Sequence, residues 1–388
     1  MGSVPWLILA LGMSIFYLPL ALVSRWGITA YPLIYLIMEE VRNQFPFGGF
    51  GWVRIAYTQA DSPYSKIAAI AGASSLSAFV LILGLILFFG LRRKFDVITV
   101  LPFVLLFVPV TLSTTATANV MMIQGNVPSM GLDFNSRAKA VFSNHFERTQ
   151  EELAKNPDVD LILWPENSVD VDPFLNSDVK AALDTIKQPL IIGAILNKGN
   201  KLLNTSILWG GELPDTYIKQ HLTPFGEYIP LRSLARIISP LVDDVDDFSP
   251  GDASKTFSID TIKVSPVICY ELIDDDLLYQ ASKNANLLAV QTNSATFGMS
   301  AESAQQLSIT RIRAIEHGRN IASVSTTGYS AIIDFSGKVV QKTSMGTAET
   351  IRADIGLVEG QTPRDKAADW ALVGVLVGLL LIARRAYV

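Results

Sequence analysis

From Ile67 to Leu91 the chain carries no charged residue, and it then meets Arg92, Arg93 and Lys94. A helix needs about 20 apolar residues to cross a bilayer, so this run reads as a membrane span with a basic stop. Inside lipid every backbone polar group must be satisfied within the segment, so this part of the chain is committed to helix. Four other apolar runs invite the same reading: Val4 to Val23, Tyr31 to Met38, Val97 to Leu112 and Trp370 to Ala383, the last followed by Arg384 and Arg385. With the basic clusters on the cytoplasmic side, these spans put the middle of the chain on the outer face and Met1 outside. The expected division is therefore about four N-terminal spans over 1–115, an α/β domain over 116–365 and a C-terminal span over 366–388.

Composition narrows the function classes. The charged fraction is 17%, against about 25% for an ordinary soluble domain, as expected when apolar segments are concentrated. The formal net charge of −5 offers no attraction for nucleic acid. One cysteine, Cys269, excludes an intramolecular disulfide framework. His145, His221 and His317 lie far apart in sequence and lack the spacing of a metal-binding helix. No dinucleotide fingerprint or phosphate loop occurs.

Between the apolar ends the pattern changes. Short β-rich runs appear at Asn119 to Ile123, Asp160 to Leu163, Leu190 to Leu196, Thr205 to Leu208, Val264 to Ile268, Leu287 to Gln291 and Ile321 to Ser325. Amphipathic helices are expected over Ser136 to Ala154 and Ala301 to Gly318. This alternation predicts a layered α/β domain. No internal repeat is visible. The acidic run Asp243, Asp244, Asp246 and Asp247 lacks the spacing of a calcium loop and reads as a solvated loop. Glu39, Glu40 and Arg42 are charges at the end of an apolar run, a costly place for them, and Glu39 and Arg42 have the i, i+3 spacing of a helix-end pair.

Three polar residues stand just beyond β-rich or apolar runs: Glu166 after Leu161 to Pro165, Lys219 after Thr216-Tyr217-Ile218, and Cys269 after Val264 to Ile268. Reactive groups collect at the strand ends of layered α/β folds. A carboxylate, an amine and a thiol form a complete set for acyl transfer: the thiolate attacks, the carboxylate takes its proton and the ammonium holds the oxyanion. By pattern alone other readings stay open. Cys269 reads equally as a small buried hydrophobe, Glu166 as a helix cap and Lys219 as a surface residue.

Three segments, taken in order, narrow the choice: Trp164-Pro165-Glu166-Asn167, Lys219 through Pro224-Phe225-Gly226-Glu227-Tyr228-Ile229-Pro230, and Ile268-Cys269-Tyr270-Glu271. They resemble the signature segments of the nitrilase superfamily and, within it, of the membrane-embedded apolipoprotein N-acyltransferases. Gln124 through Pro128, Arg311 through Arg319 and Glu39 through Gln59 resemble that branch too. The resemblance implies a multi-span α-helical membrane bundle carrying an αββα nitrilase-like sandwich on the outer, periplasmic face of a bacterial cytoplasmic membrane. It implies Glu166 as general base, Lys219 as stabiliser of the tetrahedral intermediate and Cys269 as nucleophile. Glu227 would stand as a second carboxylate near the lysine, with Tyr270 and Glu271 shaping the pocket beside the thiol. It implies a phospholipid acyl donor, a Cys thioester, a diacylated lipoprotein whose N-terminal amine accepts the chain, and no metal or organic cofactor.

Departures from the pattern are also visible. The resemblance implies more spans ahead of the catalytic domain than the sequence supplies, and the orientation argument assigns the shortfall to the first ones. The loop after Gln291 reads Thr-Asn-Ser-Ala-Thr-Phe-Gly, where the family commonly has an aspartate and a tryptophan before Phe-Gly. A tryptophan expected near Asp133 is absent, with Phe134 the nearest aromatic. Two alternatives use the same chain differently: a membrane-tethered amidase or hydrolase that passes the acyl group to water, and a non-catalytic divergent paralogue.

Overall fold

The computed structural model describes residues 3–92, 97–127, 134–169, 171–199, 201–210, 214–238, 242–243 and 246–384. Met1, Arg93, Lys94, Pro128, Asp133, Asp244 and Arg385, named above, lie outside them, as does the side chain of Phe134.

Among the described residues the strands are β1 (Ser113–Gln124), β2 (Leu161–Leu163), β3 (Leu190–Lys198), β4 (Lys201–Trp209), β5 (Asp215–Ile218), β6 (Phe257–Ile259), β7 (Ile262–Ile268), β8 (Leu287–Thr292), β9 (Asn320–Ser325), β10 (Ala331–Ile333), β11 (Val339–Lys342) and β12 (Glu349–Glu359). They form two six-stranded sheets, ordered β12-β1-β2-β3-β4-β5 and β11-β10-β9-β8-β7-β6. Each sheet has three parallel strands, β1-β2-β3 in one and β7-β8-β9 in the other, with antiparallel neighbours outside them. The two sheets thus share one pattern of strand directions, although β12 returns from the far end of the domain to pair with β1 whereas β6 and β7 are consecutive.

Successive strand side chains point to opposite faces, and here both faces are apolar. Val120 and Met122 of β1 meet Val264, Leu287 and Val324 between the sheets. Met121 and Ile123 turn the other way, towards Phe142, Val179 and Leu183 of the helices Phe134–Lys155 and Ser177–Leu183. The second sheet is covered likewise by the helices Asp275–Lys283 and Glu302–His317 through Leu278, Ile309 and Ile312. This is the expected αββα sandwich.

The helical part packs onto one side of that sandwich. Leu36 of the helix Tyr31–Gln44, Ile82 and Leu85 of Ala68–Leu91, and Leu379 and Ile382 of Asp369–Arg384 share one core. The first half of Ala68–Leu91 turns instead to the sandwich, where Ala73, Leu76 and Phe79 join Ile312 and Ile315. Gly72 (φ +86) breaks this helix near its start, and a Cβ there would stand 3.1 Å from Glu316 Oε1.

Among the described residues two helical stretches, Trp6–Trp26 and Ser65–Leu91, are long and apolar enough to cross a membrane. The other expected spans take other forms. Val97–Phe107 is an 11-residue 3-10 helix with Pro102 inside it, and proline removes a backbone donor that a continuous helix needs. Tyr31–Gln44 has 14 residues and buries Glu39 and Arg42. Asp369–Arg384 has 16 residues, which reach about 24 Å at about 1.5 Å each against a hydrocarbon core near 30 Å. Glu39 and Arg42 do not pair with each other. Glu39 Oε2 accepts from Ile55 N–H at 3.1 Å, and Arg42 Nη2 donates to Val53 O at 3.1 Å. Both side chains satisfy the irregular backbone that leads to the domain. The acidic run is likewise anchored: Asp243 pairs with Arg236 and Asp247 with Arg232, each at 2.6 Å.

Candidate active site

Glu166, Lys219 and Cys269 come from three strand ends, those of β2, β5 and β7, at one edge of the sandwich. Glu166 follows Trp164, whose N–H still donates to Ile191 O at 2.9 Å before the chain leaves the sheet. Gly193 makes room for that departure: a Cβ there would stand 2.3 Å from Pro165 O and 2.6 Å from Glu166 Cα. Asn167 then adopts φ +54, a left-handed conformation that costs a non-glycine residue energy and clusters at functional sites.

Lys219 is 1% exposed, so it is no surface residue. Its Nζ lies 2.8 Å from Glu227 Oε2 and 3.2 Å from Glu166 Oε1. Burial alone would lower its pKa, but Glu166 and then Glu227 outweigh it and hold the ammonium charged. Glu227, against the opposing effect of burial, is held below the usual carboxylate range chiefly by Lys219. Asn204 of β4 closes the cluster, its Nδ2 donating to Glu166 Oε1 at 2.8 Å and Glu227 Oε1 at 2.6 Å. One cation thus stands between two carboxylates.

Cys269 ends β7 with φ +51 and opens a short 3-10 turn. A sharp strand-to-turn elbow of this kind lifts a nucleophile above the sheet edge. The residue keeps some surface open to solvent. Its thiol is nevertheless desolvated: burial, then Glu166, push its pKa well above the ordinary thiol value, with Lys219 and the Asn293 N–H opposing. The resting sulfur is a protonated thiol beside a carboxylate. Asn293 N–H also donates to Glu166 Oε2 at 2.9 Å, which aims that carboxylate.

Glu271 holds the elbow and the lysine loop together. It is buried, and its oxygens accept from Ile268 N–H, Tyr217 OH and Gln220 N–H, each at 2.7 Å. Burial pushes its carboxyl up to about 7 against those donors. Tyr270 reaches away from the sulfur, its OH donating to Gly49 O at 3.1 Å and its ring meeting His221 edge-on. Glu271 thus links the elbow to the lysine loop, and Tyr270 ties the elbow to the helical part. Tyr228 OH donates to Phe47 O at 3.2 Å in the same seam. Around it Phe45, Phe47, Phe225, Leu231, Leu234 and Ile237 are exposed. A cleft of about 730 Å³ opens on the far side of the lysine loop between Phe47, His221, Tyr228 and Asp274, without Cys269 in its wall.

Sequence reading missed Asn204 and Asn293. Asn204 stands just before the β-rich Thr205 to Leu208 and belongs to β4 only in the structure, whereas Asn293 acts through its backbone, which no side-chain pattern reveals.

Comparison with known proteins agrees with this geometry. Residues 122–364 match the family model described as carbon-nitrogen hydrolase, and residues 1–86 match the apolipoprotein N-acyltransferase N-terminal domain. The apolipoprotein N-acyltransferase of Mycolicibacterium smegmatis is 34% identical over 288 residues, 68% of this chain and 48% of that one. Those of Vibrio parahaemolyticus and Azotobacter vinelandii are each 28% identical, over 89% and 98% of this chain and 72% and 80% of their own. The chain thus spans about half the length of the mycobacterial relative and more of the other two. With a thiol elbow beside a buried Glu–Lys pair, a two-sheet sandwich and both family matches in order along it, the chain belongs to the nitrilase superfamily, in its apolipoprotein N-acyltransferase branch.

Proposed function

We propose that this chain moves an acyl chain from a phospholipid, through a thioester on Cys269, to the N-terminal amine of a diacylglyceryl-cysteine in a lipoprotein. The observation that carries the chemistry is the buried Lys219 held between Glu166 and Glu227 beside a strained cysteine elbow. In the first half, Sγ attacks the ester carbonyl while Glu166 takes its proton. The carbon–sulfur bond forms, the ester carbon–oxygen bond breaks, and Glu166 returns the proton to the departing alkoxide, leaving a lysophospholipid. In the second half the amine attacks the thioester. The carbon–nitrogen bond forms, the carbon–sulfur bond breaks, and the amine's proton passes through Glu166 to the thiolate. Lys219 stabilises the oxyanion in both halves, and such a preorganised charge in a dry site is worth several kcal/mol, roughly 3–4. Glu227 fixes Lys219, and Glu271 and Tyr270 fix the elbow.

The two lipid substrates favour a membrane setting. The exposed apolar rim beside the seam, the candidate spans and the match of residues 1–86 all fit a domain resting on a bundle at a bilayer surface. We assign residues 1–115 and 366–388 to that bundle, residues 116–365 to the catalytic domain, and the outer face of a bacterial cytoplasmic membrane to the site. The test is conversion of a synthetic diacylated lipopeptide in phospholipid vesicles, followed by mass spectrometry. A triacylated product is expected. Free fatty acid as the sole acyl product would sink transfer and favour hydrolysis.

A further inference from the structure

Gln306 takes no part in the set described so far. It lies near the start of the helix Glu302–His317, on the buried face that also carries Ser303, Thr310 and Arg313. The residue is 5% exposed, and its Nε2 stands 3.7 Å from Cys269 Sγ. Among the described residues this is the one side-chain hydrogen bond that reaches the sulfur. The helix start that carries it is held from two sides. Thr310 Oγ1 donates to Gln306 O at 2.8 Å, and the neighbouring Gln305 Oε1 accepts from Trp52 Nε1 at 2.8 Å. Trp52 in turn meets Phe297 edge-on at 6.3 Å, so the helix start, the loop after β8 and the helical part are braced together.

A neutral thiol is a weak acceptor, whereas a thiolate is a strong one. The Gln306–sulfur contact therefore contributes little at rest and more as charge gathers on sulfur, which is the condition for lowering a barrier. The surroundings give that donor a purpose. Two carboxylates and one ammonium leave the cluster net anionic, which opposes a thiolate. An amide N–H adds stabilisation without adding a charge that would itself need a partner.

We propose that Gln306 is a further catalytic residue: its Nε2–H donates to the Cys269 sulfur, stabilising the thiolate as it attacks the acyl donor and again as the incoming amine expels it. This rests on the thioester reading above. The test compares the wild-type full chain in detergent with Gln306→Met, which keeps the size and removes the donor, and Gln306→Glu, which puts a carboxylate there. The rate of iodoacetamide alkylation of Cys269, followed from about pH 7 to about pH 9, reports the thiol directly, because below a raised thiol pKa that rate tracks the thiolate fraction. Gln306→Met is expected to slow alkylation about tenfold at every pH in that range and to slow acyl-adduct formation about tenfold; Gln306→Glu is expected to slow both further. Alkylation of Gln306→Met at the wild-type rate overturns the role, because a packing residue would give that result. Should Gln306→Met lose its cooperative melting, Gln306→Asn, which keeps the amide but draws it back by one methylene, decides in its place: slowed alkylation supports the role and an unchanged rate overturns it. Alkylation needs no lipid, so it fails independently of the function; an absent acyl adduct in the wild type overturns the thioester reading and the Gln306 role with it.

Discussion

Two clusters of buried charge sit on opposite sides of the segment that follows Cys269, and they are built to different rules. At the active site Lys219 faces Glu166 and Glu227, with a neutral thiol nearby. At the junction with the helical part, Arg54 grips Asp275 with two hydrogen bonds of 3.0 and 2.7 Å, and Arg313 bridges Asp275 at 2.7 Å and Glu316 at 2.5 Å. Glu316 then accepts from Ala73 N–H at 2.9 Å, reaching into the helix Ala68–Leu91. Arg54 also reaches Glu40 at 3.5 Å and Arg364 reaches Glu316 at 3.6 Å, so three arginines face the three carboxylates Glu40, Asp275 and Glu316. Burial opposes the charge on Asp275, but Arg54 and Arg313 outweigh it and hold its carboxyl well below the usual range. The junction cluster is compensated and acts as a clamp. The active-site cluster keeps one anion in excess and a displaceable proton, which is what a base needs and a clamp does not.

Lys219→Met should separate the two most sharply. Acyl-adduct formation should fall by about 10³ or more, while the two carboxylates can share a proton and the sandwich still melts cooperatively. Loss of cooperative melting would show that Lys219 is a clamp residue like Arg313. Arg313→Met should do the reverse. It removes one of the two arginines on Asp275 and leaves Glu316 with only Arg364 at 3.6 Å and the Ala73 N–H, and breaking a buried pair costs about 3–5 kcal/mol, to be read from denaturation midpoints. Activity per folded molecule should fall far less than in Lys219→Met.

His145 offers an uncharged reference. It is fully buried, its Nε2 accepts from Gly125 N–H at 3.1 Å, and burial pushes its pKa down to about 4. An unfolded histidine titrates near 6.5, so below that pH the unfolded chain gains a proton that the folded chain refuses. Stability should fall from about pH 6.5 to about pH 4 by about 3 kcal/mol in all, with nothing further from this group below that. His145→Asn should flatten that slope in a pH series of melting curves; an unchanged slope would assign it to the carboxylate clusters. The smallest effect belongs to Arg54→Met. Asp275 keeps Arg313, and Glu40, which loses Arg54 at 3.5 Å, keeps the hydroxyl of Ser74 at 2.5 Å, so about 1–3 kcal/mol should be lost. Hydrolysis of a water-soluble ester should survive while transfer from vesicle lipid weakens, because the clamp sets how the domain sits on the helices. Equal loss of both would make Arg54 a support of the catalytic set itself.

The active-site cluster was far more legible than the clamp. Glu166, Lys219 and Cys269 each follow a β-rich run, so strand-end logic found them one at a time, and ordered motifs joined them. Arg54 and Asp275 are separated by 221 positions, and neither sits in a pattern that names the other. The same limit hid β12. Its buried Ile351, Ile355 and Leu357 are interrupted by Arg352, Asp354 and Gly356, so no sustained apolar run marks the strand. Val97 to Leu112 differs in the other direction: an apolar run that reads as one regular span folds over Val97–Phe107 as a 3-10 helix with Pro102 inside it.

The central claim is that the buried Glu166–Lys219 pair makes Cys269 an acyl carrier. Mass spectrometry of the Cys269 peptide, after incubation of the purified chain with phospholipid, tests it most directly. An acyl-chain mass on Cys269 that is released by hydroxylamine, and that is absent in Glu166→Gln, is the predicted result. Lipopeptide acylation that proceeds in Cys269→Ala, or an adduct that forms equally well in Glu166→Gln, would contradict it.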